Sequence, residues 1–347
     1  MAVLIIGPNW IGDMVLAQSL AISLKQHHPE VEIDMLAPSW SIAVASRMSQ
    51  IRHTIVADLP HGKLKLKYRY QLAQKLKNKY TQAFILPMSL KSALIPALAK
   101  IPCRTGWRGE IRYKLINDLR ILEPIQYPQM VDRYVALAYP ANTPRISEPP
   151  QPQLQVDKDN LRNLTKEFNL NNQRPIIALC PGAAYGPSKR WPVSHWIALA
   201  NNRISAGWHV YIFGSLGETE ITQAIAAGIM IQYRQYLTDF AGKISLTDSI
   251  DMLSSAQVVV SNDSGLMHIA ASVNCALVAI YGATPIDYTP PLAKNVITLS
   301  TKLSCQPCRK KTCRFGHYNC LHQIDNAMVD KAINNVLALA QDKIEVS

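Results

Sequence analysis

At 347 residues and 38.6 kDa the chain has room for two domains, each large enough to bury its own core, which excludes a peptide or a single small module. Hydrophobic residues at 48% and charged residues at 17% exclude a disordered or fibrous chain. The formal charge of +12 favours an anionic partner, and it is concentrated in residues 1–150, with 19 basic against 10 acidic side chains, compared with 17 against 14 in residues 151–347.

In chain order, the apolar run 3–6 closes on Gly7-Pro8, and Met14, Leu16, Leu20 and Leu24 then recur at helical spacing behind Gly12 and Asp13. This predicts a strand, a turn and a helix. Residues 31–36, 54–56 and 83–86 read as further short buried strands, with a helix over 68–79. Segment 140–152 holds five prolines in thirteen residues and no apolar periodicity, so a linker is placed there, between a first domain 1–150 and a second domain 151–329. Strands are expected again at 176–180, 210–213, 258–261 and 277–281, with helices at 195–204, 219–227 and 266–273, and a last helix at 330–340. Such alternation predicts an α/β protein of two doubly wound parallel sheets, whose ligands sit beyond the carboxyl ends of the strands in a cleft between the domains.

The sharpest motif is Asn262-Asp263-Ser264-Gly265-Leu266-Met267-His268, which leads from a strand straight into a helix. A helix N-terminus preceded by Asp and Ser and opened by Gly suits a pyrophosphate, although an ordinary capped helix has the same signature. The loop 181–192 offers backbone donors at Gly182, Ala183 and Ala184, and Lys189 as a point charge; its plain reading is a Gly/Pro-rich turn. Glu218 and Glu220, just after the strand 210–213, are placed where a carboxylate accepts from ribose hydroxyls. The spacing in Gly7-Pro8-Asn9-Trp10-Ile11-Gly12-Asp13 does not fit a dinucleotide loop, which disfavours hydride transfer. Asp13 is a candidate general base or a simple complement to the helix dipole.

The basic set His61, Lys63, Lys65, Lys67 and Arg69, with Lys91, Arg104, Arg108 and Arg112 around Trp107, suits a phosphorylated acceptor or a solvated face. No nucleic-acid-binding signature accompanies it, so no nucleic-acid partner is expected. Seven cysteines, an odd number, and a start without a basic n-region lead us to expect reduced thiols in a cytoplasmic protein. Cys305, Cys308, Cys313 and Cys320 fall as C-x2-C-x4-C-x6-C, which lacks two clean knuckles; free thiols are favoured over structural zinc.

Six segments, taken in order, resemble the ADP-heptose:lipopolysaccharide heptosyltransferases of glycosyltransferase family 9, most nearly those that add the second inner-core heptose. They are 7–13, Leu86-Pro87-Met88-Ser89-Leu90-Lys91-Ser92-Ala93, Arg104-Thr105-Gly106-Trp107-Arg108-Gly109-Glu110, Cys180-Pro181-Gly182-Ala183, Lys189-Arg190-Trp191-Pro192 and 262–268. The resemblance implies a GT-B fold of two Rossmann-like domains, with the C-terminal helix, 330–347, returning to the first. It implies inverting transfer of L-glycero-D-manno-heptose from ADP-heptose to the first heptose of the inner core, with no required cofactor or catalytic metal. The implied location is the cytoplasmic face of the inner membrane, in peripheral contact with its anionic surface and with a heptosyl-Kdo2-lipid A type acceptor.

By the same resemblance Asp13 is the base and Lys189 the phosphate-binding lysine. Asp263, Ser264, Gly265 and His268 surround the sugar and pyrophosphate, and Glu220, with Glu218 as the alternative, meets the ribose. Gly12, Lys63, Lys91, Arg104, Trp107 and Arg108 are expected on the acceptor side. The alternatives are a transferase using another core acceptor or nucleotide sugar, and a non-catalytic binder of nucleotide or anionic glycolipid.

Overall fold

The computed structural model describes residues 1–59, 63–170 and 173–341, and the chain divides into two compact units after Gln153. His61 and residues 342–347 of the expected last helix lie outside the described residues.

In the first unit the elements run β1 (Ala2–Ile6), α1 (Ile11–His27), β2 (Glu32–Ala37), α2 (Ser39–Ala45), β3 (Ile51–Val56), α3 (Leu66–Leu76), β4 (Gln82–Ile85), α4 (Leu90–Leu98), β5 (Cys103–Trp107), β6 (Asp118–Arg120) and α5 (Met130–Val135). The strands form one six-stranded sheet in the order β3-β2-β1-β4-β5-β6, and every pair is parallel. Central strands of such a sheet are covered on both faces, which is why β1 reads as an unbroken apolar run and its Val3, Leu4 and Ile5 are fully buried. Register pairs Val3 with Ile33 and with Gln82.

Strands β5 and β6 escape the pattern because they carry polar residues that satisfy one another. Thr105 Oγ1 donates to Asp118 Oδ2 (2.9 Å), and Arg120 pairs with the same carboxylate (2.8 Å). The helix expected at 68–79 begins two residues earlier and stops at Leu76, where the chain turns through Asn78 in the left-handed region (φ 61°).

The proline-rich segment is no free tether. Ser19 Oγ on α1 donates to the Pro150 carbonyl (2.6 Å), and the Gln18 amide both donates to the Gln153 carbonyl (2.7 Å) and accepts its N–H (2.9 Å). Asp132, whose side chain is wholly buried, pairs with Arg145 (2.9 Å). Prolines cannot donate, so buried polar side chains of α1 bond backbone groups at the end of the segment, while α5 anchors it through the Arg145 side chain.

The second unit runs α6 (Lys158–Glu167), β7 (Ile176–Cys180), α7 (Val193–Ser205), β8 (His209–Ile212), α8 (Thr219–Ala227), β9 (Leu237–Asp239), α9 (Leu246–Leu253), β10 (Val258–Asn262), α10 (Gly265–Ser272), β11 (Ala276–Ile280), β12 (Val296–Leu299), α11 (Asn319–His322) and α12 (Asn326–Gln341). Its sheet is also parallel, ordered β12-β11-β10-β7-β8-β9. Both sheets therefore share one winding, in which the strand order reverses beside the first strand of the unit, between β1 and β4 and between β7 and β10.

Helix α12 packs within the second unit. Val329, Ala332, Ile333 and Val336 join that unit's core, and Arg203 of α7 pairs with Asp330. The last helix is expected to return to the first domain; its described length buries its apolar stripe beside α7 and the β10–β12 edge.

Candidate active site

In the second unit three post-strand loops meet at the reversal point. Asn262, the last residue of β10 and fully buried, holds two of them together: its Nδ2 donates to the Pro181 carbonyl (2.7 Å) and its Oδ1 accepts the Trp191 N–H (3.1 Å). One amide thus ties both ends of the loop that follows β7 to the end of β10. Beyond it, Lys189 Nζ lies 2.6 Å from Asp263 Oδ2, with the side chains 13% and 4% exposed. The same carboxylate accepts a hydrogen bond from Thr284 Oγ1, on the loop after β11. Lys189 also stands 5.0 Å from the centre of the Tyr185 ring, and Tyr185 Oη donates to the Arg309 carbonyl (2.8 Å).

Ser264 caps α10 with extended backbone, so the helix starts at Gly265. His268 follows within the first turn and is buried, its Nδ1 without a hydrogen-bond partner among the described residues. Burial draws the imidazole down to about 4; the Asp263 carboxylate opposes this and the Lys189 charge reinforces it. Histidine in an unfolded chain titrates near 6.5, so between about pH 6.5 and 4 the native state binds fewer protons than the unfolded state, and stability falls as the pH is lowered through that window. Replacing His268 by Gln should flatten the dependence of unfolding free energy on pH there, by on the order of 3 kcal/mol across the window. Urea titrations at several pH values check this, and an unaltered slope would mean that the native imidazole is not held neutral.

Glu218 and Gly182 form a second contact of the site. A Cβ on Gly182 would fall 2.2 Å from the Glu218 carboxyl, so only glycine lets that carboxylate settle on the loop backbone. Glu218 also accepts from the N–H and hydroxyl of Ser215, both at 2.8 Å. Glu220 lies in the first turn of α8 with its side chain exposed. Ala183 is buried and Ala184 exposed, so loop 181–192 offers backbone and Lys189 rather than small side chains.

The first unit has its own cleft, of about 370 Å³, at the carboxyl ends of β1, β2, β3 and β4. Gly7, Asn9 and Pro38 line it beside the loop 87–92, and Lys63, Arg69, Lys91 and Glu110 supply its charge. Asp13 is half-buried in the first turn of α1, two residues after Ile11. Arg69 and Arg112 are buried clamps on the loop: Arg69 Nη1 donates to the Lys91 carbonyl (2.8 Å), and Arg112 Nη1 to the carbonyls of Pro87 (2.7 Å) and Ser89 (3.1 Å). Burial lowers the Arg112 guanidinium to about 10. Glu110 Oε2 accepts the Leu90 N–H (2.7 Å) where Ser89 makes no side-chain cap to α4.

The sequence pattern of glycosyltransferase family 9 (heptosyltransferase) fits residues 69–319. The chain belongs to glycosyltransferase family 9. The lipopolysaccharide heptosyltransferase 2 of Salmonella typhimurium is 39% identical to this transferase over 344 residues, 97% of this chain and 99% of that one. The lipooligosaccharide heptosyltransferase 2 of Haemophilus influenzae is 41% identical over 346 residues, 97% of this chain and 100% of that one. The solved structure of Escherichia coli ADP-heptose lipopolysaccharide heptosyltransferase II superimposes with a TM-score of 0.87 at 36% identity, covering 98% of this chain and 100% of that one. The two parallel six-stranded sheets are those of a GT-B transferase.

Within the transferase, Lys189, Asp263, Ser264, Gly265 and His268 come together at one place, and Lys63 and Lys91 at another. Arg104 and Trp107, expected to meet the acceptor, are on strand β5 with donors of both side chains bonded to backbone carbonyls. Arg104 donates to the Leu115 carbonyl (2.7 Å) and the Ile101 carbonyl (2.5 Å), and Trp107 Nε1 to the Arg133 carbonyl (2.8 Å). These bonds support β5 and its neighbouring loops, because an unpaired guanidinium or indole N–H cannot be buried cheaply. Arg108 and Gly12 do not line the first unit's cleft, and Arg108 is exposed.

Sequence reasoning placed Asn262 in the motif without its tie between loops, and missed Thr284 and the segment 309–311. The Lys311 carbonyl accepts the Ser188 N–H (3.1 Å) and would lie 2.7 Å from a Cβ on Gly186, whose φ is 148°. The only signal for that segment was the Arg309-Lys310-Lys311 run itself. Cys305, Cys308, Cys313 and Cys320 line one small cavity, and burial followed by the neighbouring thiols pushes Cys320 up to about 11. Among the described residues no group of three or more His, Cys, Asp or Glu is arranged to hold a metal ion.

Proposed function

We propose that this transferase moves L-glycero-D-manno-heptose from ADP-heptose to the first heptose of the lipopolysaccharide inner core, with inversion at the anomeric carbon. The observation that carries the reading is the Lys189–Asp263–Thr284 cluster at the head of α10, at the strand-order reversal of a family 9 chain. Lys189 and the first N–H groups of α10 meet the diphosphate, because the helix start and an ammonium together favour the charge that builds as the bond from the anomeric carbon to ADP breaks. His268, neutral at pH 7, has one ring proton and one lone pair with which to orient a sugar hydroxyl. The contact of Glu218 with Gly182 supports Glu218, the alternative to Glu220, as the residue that meets the ribose.

On the acceptor side Asp13 takes the proton of the attacking hydroxyl as the new bond to the anomeric carbon forms. Lys63 and Lys91 hold acceptor anions in the first unit's cleft, and exposed Arg108 adds positive charge outside its lining. Among the described residues no helix is long and apolar enough to cross a membrane; contact with the anionic inner face of the inner membrane is peripheral, and the transferase acts on its cytoplasmic side.

Purified transferase incubated with ADP-heptose and a lipid A acceptor bearing Kdo and one heptose tests this, with ADP release and acceptor mass followed together. A gain of one heptose with stoichiometric ADP is expected. ADP release with an unmodified acceptor would point to another acceptor, and ADP binding without any turnover would favour a binder.

A further inference from the structure

Between Leu59 and Gly109 the sequence carries eleven Lys and Arg side chains and no Asp or Glu. The carboxylates that bound this stretch are engaged: Asp58 accepts the Ser39 N–H (3.0 Å) and Glu110 the Leu90 N–H (2.7 Å). Within it, Lys63-Leu64-Lys65-Leu66-Lys67-Tyr68-Arg69-Tyr70 alternates cations with apolar side chains. Arg69 turns inward, donating to the Leu64 carbonyl (2.8 Å) as well as to that of Lys91, but its neighbours face solvent. Leu66 and Tyr70, one helical turn apart on α3, are each 55% exposed.

The other flank of the loop 87–92 repeats the arrangement. Arg112 is its buried clamp, and the residues on either side, Ile111 and Tyr113, are 79% and 60% exposed. Scattered exposed apolar residues are ordinary. Here they are held by two buried guanidinium groups at the margins of one loop, beside a cleft with an excess of cations.

We propose that the 63–70 segment and the Ile111–Tyr113 turn form the face by which the transferase lies on an anionic lipid bilayer. Leu66, Tyr70, Ile111 and Tyr113 enter the headgroup region, and Lys65 and Lys67 stand over lipid phosphates. The inference rests on the peripheral contact in the preceding reading and names its surface. A soluble polyanion would use the lysines but gain nothing from exposed Leu and Ile, whereas an anionic bilayer rewards both.

The test uses the whole protein with sucrose-loaded vesicles of phosphatidylcholine, alone or mixed with phosphatidylglycerol, and neither donor nor acceptor. Sedimentation of the protein should rise with phosphatidylglycerol and fall with salt. Lys65→Glu/Lys67→Glu should weaken partition by about tenfold or more. Leu66→Ser/Tyr70→Ser should weaken it comparably, with an unchanged melting temperature and unchanged transfer to a deacylated, water-soluble acceptor. Wild-type protein that stays in solution with phosphatidylglycerol vesicles, or variants that sediment as it does, would overturn the proposal. No sugar nucleotide is present, so a failure of the transfer assay leaves the vesicle result standing, and the reverse also holds.

Discussion

Asp13→Ala should lower kcat by roughly 10²- to 10⁴-fold, the usual worth of a positioned general base, and leave the affinity for ADP unchanged. The two parts of the expectation have separate origins. Asp13 stands on α1 of the first unit, which extends to Gln153, whereas every group proposed to hold ADP lies after Leu154. Asp13→Asn keeps the shape and the helix-start position but cannot accept the proton, so it should lose as much rate as the alanine variant. ADP binding by calorimetry and single-turnover transfer measure the two parts. Near-normal turnover of either variant would remove Asp13 from the mechanism, and an asparagine variant that is much faster than the alanine variant would make its role one of packing.

The second large effect is expected at the Lys189–Asp263 pair. Both side chains are largely withdrawn from water, and removing one charge of such a pair leaves the other uncompensated, a cost of about 3–5 kcal/mol when burial is complete. Asp263→Ala should therefore destabilise the transferase by an amount near the lower end of that range, and Asp263→Ala/Lys189→Ala should recover most of the loss. Activity should follow a different order. Lys189→Ala should slow transfer by roughly 10²- to 10³-fold and weaken ADP binding, because a preorganised donor to the departing diphosphate is gone. In the Asp263 variant ADP should restore stability, its phosphates standing in for the missing carboxylate. Strictly additive stability changes in the two single variants and the double variant would show that the pair does not act as a unit.

Much of the frame was legible because parallel strands buried on both faces must be apolar runs: residues 3–6, 176–180 and 258–261 announce themselves in that way. The loops that follow them were legible for a related reason, since Gly182, Gly265 and the Asp263-Ser264 cap are local signals. Partnerships across the chain were not. Nothing near Thr284 indicates that its hydroxyl will meet a carboxylate 21 positions earlier, and Asn262 reads as part of a motif rather than as the tie between Pro181 and Trp191. Arg104 and Trp107 show the same limit: their residue types suit ligand contact, and nothing local to them indicates that donors of both side chains bond to backbone carbonyls. The last helix was placed by analogy, and the apolar stripe from Val329 to Val336 assigns its described part to the second unit's core.

The amide of Asn262 also bears on how this loop can be redesigned. With Pro181 and Trp191 both fastened to one side chain, the nine residues between them form a closed span whose ends cannot drift apart. Inside it Gly186 and Ser188 are pressed against Lys310 and Lys311, and Lys189 is committed to Asp263. Ala184 is the one exposed position before that anchored half. Grafts meant to change donor preference therefore have a natural point of entry there, where extra residues bulge outward without moving the ammonium, whereas a single insertion between 186 and 190 would shift every anchor in the span.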